Sequence, residues 1–340
     1  MKNILLILFC VSSIFCFSQP PEKEQEAELE GPSVFMAMPD QSASGVQLSK
    51  NGSFVELYYG TELIKMNGEY LNNKKIGKWT EYFKNGRVKS VEHYVDGQRE
   101  GLHNVFWDNG VLQAEGYFEK GLRQGKWISY HSGEELKVSY TYVDNMIQGE
   151  CLIYFRSGKL KTKQFYVNHF LEGQWYEYYQ NGNIRGSGIY KNNLKQGEWL
   201  TYFENENLYS KGTFIDDSKQ GNWIRFYPNG NQKSSEVYNN GKREGSFLTY
   251  YENGQLKTSK YFLAHKQYGE ELKYHENGKL KSKGQFEKGE KVGKWKKYDQ
   301  YGKLDQIIFY YKGKVSNSVQ KNKLKKKRLK KKYEKQETKD

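Results

Sequence analysis

Cysteine is scarce in this chain, with three in 340 residues. Cys10 and Cys16 fall in the apolar N-terminal segment, so Cys151 alone serves the rest. One thiol makes no internal disulfide, which excludes a fold stapled by bridges. Long apolar runs are lacking too. The longest, Ile4 to Phe17, has about fourteen residues, short of the ~20 that a membrane-spanning helix needs. Sustained helical periodicity is absent from the repeated region described below. No Ser/His/Asp order, phosphate loop, close zinc-ligand set or distinctive acid pair occurs, so no catalytic, cofactor or metal residue is assigned. The sequence predicts a protein that is not an enzyme.

What is abundant is the aromatic ring. Hydrophobic residues are 36% of the chain and aromatics 16%, so more than four in ten hydrophobic side chains are Phe, Trp or Tyr. Large flat rings with polar tips suit sheet surfaces better than a thick aliphatic core. Basic residues are the other excess. The net charge is +14, and residues 314–340 hold twelve Lys or Arg against three acids, a net of +9. The remainder is therefore only +5, and the basicity belongs mainly to a tail at 317–340. Lys325, Lys326, Lys327, Arg328, Lys330, Lys331 and Lys332 are its candidate contacts with an anionic surface or polysaccharide. The tail has almost no aromatics, which argues against sequence-specific nucleic-acid recognition.

At the other end, Lys2, the apolar run and Cys16-Phe17-Ser18 occur in the order of a secretory signal with cleavage before Gln19. The expected mature chain is exported to the periplasm, envelope or medium and has no transmembrane span. Residues 19–52 follow as an acidic, proline-containing spacer with Glu22, Glu24, Glu26, Glu28 and Glu30.

The rest of the chain repeats. Glycines stand every 24 residues from Gly77 to Gly293. Six of the ten units have Trp two residues later, as at Trp79 and Trp175, while His103, Cys151, Phe247 and Glu271 replace it elsewhere. Every unit has Tyr or Phe five residues after the glycine, as at Tyr82 and Tyr178, and again seventeen after it, as at Tyr190. Asn-Gly recurs between these rings, placing Gly86 and Gly182 at a predicted type I′ hairpin turn. With a two-residue turn, Trp175, Tyr179, Ile184, Gly188 and Tyr190 share one face and Tyr178 takes the other. A three-residue turn with a bulged glycine would re-pair the strands and is the alternative. The Asn-, Asp-, Gly- and Lys-rich stretches such as 95–100 link one hairpin to the next. Residues 53–76 keep Tyr58 and Tyr70 in phase but lose the glycine and Trp, as a degenerate capping unit would.

This pattern, Gly-x-Trp-x-x-Tyr-x-x-Asn-Gly-x-Leu with a later Tyr, resembles the MORN repeat variant family over ten units at 77–316. The resemblance implies an all-β fold: an elongated, curled single-layer antiparallel sheet of about ten tandem β-hairpins. Some members of that family are labelled antitoxins, a role that an export signal argues against. The histidines fit the repeat: His131 and His275 share one position, His169 and His265 another. Units four apart stand roughly 38 Å apart in an extended sheet, too far to share a metal. The expected role is an exported binding or scaffold module for a protein or envelope component. The alternative is a secreted effector or enzyme accessory whose aromatic face grips carbohydrate or a partner protein.

Overall fold

The computed structural model describes residues 51–316. The expected signal segment, the expected spacer up to residue 50 and the lysine-rich residues beyond 316 lie outside the described residues. Between them is one antiparallel sheet of 26 strands with no helix. Strands pair with their neighbours along the chain, and Gly52–Leu57 pairs only with Ile64–Leu71, so the sheet is open rather than closed into a barrel.

One unit shows how the sequence makes this. Gly173–Tyr178 runs against Ile184–Lys191, which turns back into Leu194–Tyr202 of the next unit. Gly173 lies opposite Tyr190 and Trp175 opposite Gly188, as the parity of the sequence requires. A bulge after Glu177 then sets Tyr178 opposite Ile184. Ile184 was expected with Trp175, and the bulge is the reason it moves.

That bulge comes from the turn. Tyr179 N–H donates to the Asn183 carbonyl at 2.9 Å, closing a loop of three residues, not two. Gly182 has φ of 97° and Gly86 of 81°, whereas the asparagines before them are not in the left-handed region. The Asn-Gly loops are thus the three-residue form with a left-handed glycine, and the type I′ expectation is corrected. Type I′ geometry sits at the opposite edge instead. There Asn192 and Asn193 have φ of 50° and 67°, and Asp216 and Asp217 of 46° and 61°. What looked like a linker between hairpins is a two-residue hairpin turn, so the chain is one unbroken meander.

Both edges are fastened between units. At the tight turns, Asn193 N–H donates to the Leu171 carbonyl and Leu171 N–H to Asn193 Oδ1. The same backbone bond recurs from Gly97 to Gly313. At the loops, Asn181 Nδ2 donates to the Glu204 carbonyl and Tyr179 Oη to the Tyr202 carbonyl. Backbone groups that loops ordinarily leave to water are here satisfied by the next unit.

The capping unit departs from its reading. Gly52 pairs with Tyr70, and Phe54 pairs with Gly68 while packing 5.4 Å from the Trp79 ring. Gly52 and Phe54 therefore fill the glycine and Trp places. The first loop is one residue longer, closing from Tyr58 N–H to the Leu63 carbonyl, which throws the first strand out of phase.

Candidate functional site

The repeat positions build a column of rings. Trp79, Trp127, Trp199 and Trp295 are buried, Trp79 to 3% exposure. Each lies flat over a glycine on the strand before it: a Cβ on Gly68, Gly116, Gly188 or Gly284 would fall within 2.3 Å of the indole. The late aromatic of the preceding unit meets the Trp edge-on, with Tyr190 and Trp199 at 5.2 Å and 90°. Such a pair is worth about 0.5–1.5 kcal/mol beyond its buried area. A cation covers the column from the side, as Lys75 does Trp79 at 4.1 Å and Lys195 does Trp199 at 4.5 Å. Trp175, preceded at the glycine place by Gln164, is half-buried and lies 5.3 Å from Trp199.

The positions that define the repeat are thus occupied by packing. Gly77 and Gly173 take φ of 62° and 80°, and Gly86 and Gly182 form the loops. Trp79 and Trp175 fill the column, which Tyr190 joins edge-on. Tyr82 and Tyr178 point to the other face, where the Tyr82 hydroxyl accepts from Asn67. The tail residues Lys325, Lys326, Lys327, Arg328, Lys330, Lys331 and Lys332 lie outside the described residues.

Where Trp is missing, the glycine beneath is missing as well. His103 follows Glu92, Cys151 follows Tyr140, Phe247 follows Glu236 and Glu271 follows Lys260 at the paired places. Three of these sites bury an acid among cations. Glu236, 3% exposed, accepts from Tyr238 Oη at 2.7 Å and Arg243 Nε at 3.0 Å, with Arg225 at 3.3 Å. Glu271, 2% exposed, has Lys273 at 3.0 Å and Gln267 Nε2 at 3.1 Å. Glu92 has Arg99 at 3.1 Å, His103 at 3.3 Å and the Tyr94 hydroxyl at 2.5 Å. Burial alone would raise the Glu92 carboxyl, but the close approach of His103, the hydrogen bond from Tyr94 and the Arg99 charge outweigh it and hold it at about 2. These clusters went unseen in the sequence. The signal was there as paired loss of glycine and Trp, but it requires knowing which strands touch.

The remaining candidates take structural places. Cys151 is buried, which pushes its thiol up, away from nucleophilic use. His169 Nδ1 accepts Ile147 N–H and His265 Nδ1 accepts Arg243 N–H, standing in for the Asx oxygen of other turns. His275 Nε2 donates to the Tyr298 carbonyl, as the tyrosines at that position do. The open sheet keeps His131 from His275 and His169 from His265. No group of three metal-ligating side chains forms among the described residues.

The opposite face is less covered. Tyr117, Phe165, Tyr261 and Phe309 are 40–46% exposed there. A shallow groove lined by Glu150, Lys163, Phe165, Gln174 and Tyr176 runs between two units.

The family described as MORN repeat variant matches eight segments: 75–96, 99–120, 147–168, 171–192, 195–216, 219–240, 243–263 and 267–288. No curated protein matches. Among solved structures, the chain is similar to "Crystal Structure of TcdB2-TccC3", with 11% identity, 78% of this chain, 15% of that chain and a TM-score of 0.18. It is also similar to a structure of the Photorhabdus luminescens Tc holotoxin pore, with 12% identity, 78% and 16% coverage and a TM-score of 0.19. The chain thus spans about a sixth of the length of those toxin chains, and at these scores the likeness carries no functional weight.

Proposed function

Since the chain belongs to the MORN repeat variant family, we propose that it is an exported, non-enzymatic binding or scaffold protein of the cell envelope or extracellular space. The observation behind this reading is the division of labour within each unit. Glycine, Trp and the late aromatic are used up in packing on one face, while the other face exposes side chains that differ between units, among them Tyr117, Phe165, Tyr261 and Phe309. A repeated frame with a variable surface suits recognition of an extended protein or envelope component. The ordered charged, apolar and small-residue segments at the N-terminus support export, with Gln19 as the mature N-terminus. The lysine tail adds nonspecific, salt-sensitive attachment to anionic surfaces.

Two measurements test this. Intact mass of the protein recovered from envelope or medium should begin at Gln19, and retention of Lys2 there would refute cleavage. Binding of the chain to anionic vesicles should fall steeply with salt and be largely lost on truncation after Gly313. An unchanged salt slope after truncation would move the anionic contact onto the sheet.

A second reading, a carbohydrate-binding accessory, draws on Tyr117, Phe165, Tyr261 and Phe309 rather than on the buried tryptophans. A glycan array with the same chain separates the two readings.

A further inference from the structure

The face opposite the tryptophans carries one continuous row of directly paired residues, an observation separate from what else the array binds. From Ile128 it runs through Ser139, Leu152, Lys163, Tyr176 and Ser187 to Leu200. From Leu200 it continues through Lys211, Ile224, Ser235, Leu248 and Ser259 to Leu272. Every second strand places an apolar side chain in the row, and Ser or Lys lies between. All seven apolar members are half-buried by neighbours in the sheet, and no second layer of described residues covers them. At the ends the row turns polar. Glu115 and Asn104 precede Ile128, and Lys283 and Lys296 follow Leu272. No carboxylate among the described residues lies within ion-pair reach of Lys283 or Lys296.

This row is self-complementary. Turned about an axis parallel to the strands beside Leu200, each side chain meets its counterpart at equal distance on the other side. Glu115 then faces Lys283, and Asn104 faces Lys296. Lys163 and Lys211 face Ser235 and Ser187, so no like charges meet within the row; beside it, the exposed Glu198 is the one carboxylate that meets its own counterpart across the axis. The rotation also keeps the strands of both sheets aligned, the common mode of sheet-on-sheet packing. An axis along the row would instead set Lys283 on Lys283 and Glu115 on Glu115, which like-charge repulsion disfavours. Twelve strand spacings make the apolar part about 58 Å long at ~4.8 Å each. At a width of about 10 Å the pair would bury roughly 1,200 Å² in total, the lower end for a stable specific interface.

We propose that this face joins two copies of the chain as a two-fold dimer centred on Leu200. Its test is sedimentation equilibrium of the full chain over a wide concentration range, with circular dichroism as the check on folding. The wild-type chain should sediment as a dimer. Leu200→Glu sets two carboxylates against each other at the axis and should weaken association by about 100-fold or more. Lys283→Glu, at the row's edge where unfolding is not expected, should weaken it about ten-fold, and adding Glu115→Lys should restore it. Three results would overturn the proposal: a monomer at every concentration, a dimer indifferent to both Leu200→Glu and Lys283→Glu, or a dimer that disappears only on truncation after Gly313. A partner of another kind on this face would leave the chain monomeric.

Discussion

At Gly188 a single methyl group decides how well two units fit. The added carbon would meet the Trp199 ring at 2.2 Å, whereas at Gly186 the nearest atom is 3.4 Å away. Gly188→Ala should therefore cost about 1–3 kcal/mol through overpacking, and Gly186→Ala markedly less. Denaturant unfolding of both variants checks this; equal losses would contradict the stacking. Glu92 makes the companion case for charge. Its carboxyl lies at about 2 in the folded chain against an ordinary value of 4.5. A depressed acid stabilises above its unfolded value and loses that contribution as pH falls through the folded one. Glu92 should thus contribute on the order of 3 kcal/mol above pH 4.5 and lose it between there and pH 2. Glu92→Gln should flatten the stability profile in that window, and an unaltered profile would contradict the cluster. At this scale the glycine and Trp positions were legible from spacing. The partners of Glu92, Glu236 and Glu271 were not, because contact across strands depends on register.

At the scale of the turn, two dipeptide habits proved interchangeable to the eye. Asn-Gly serves a two-residue turn and a three-residue loop alike, and only the bulge after residues such as Glu177 tells them apart. Meanwhile the true two-residue turns carry pairs as unlike as Asn192-Asn193, Lys288-Gly289 and Ala264-His265. What the three share is a backbone hydrogen bond from the second turn residue to a carbonyl of the preceding unit. Glu134 and Glu206 occupy the left-handed loop position that glycine fills elsewhere, with φ of 75° and 68°. Glu206→Gly should relieve strain and raise stability by up to about 1 kcal/mol, while Gly182→Ala should lose a similar amount. Thermal melts of the pair give the sign directly, and a destabilised Glu206→Gly would count against the loop geometry.

For the whole array, the 24-residue period was the most legible feature, since ten glycines in phase need no structure to be seen. The capping unit was misread because one extra residue in its first loop displaced Gly52 and Phe54 from that phase. The meander also predicts what can be removed. Deleting 173–196 takes out two whole strands with one loop and one turn, leaving direction and register intact, so the product should fold with a lower melting temperature. Deleting 173–184 removes one strand and its loop and should leave an insoluble or molten chain. Equal melting of the two would contradict a folding unit of this length.

The fastening of each turn only to its nearest neighbours has a mechanical consequence. Tension applied across the array loads one end strand at a time, so hydrogen bonds yield in succession, as a zip opens, instead of sharing the load. Each released unit frees about 80 Å of contour, taking ~3.4 Å for each of its residues. Single-molecule stretching should show a train of evenly spaced, low force steps. A chain of this kind would act as a compliant tether that lengthens before its attachments break.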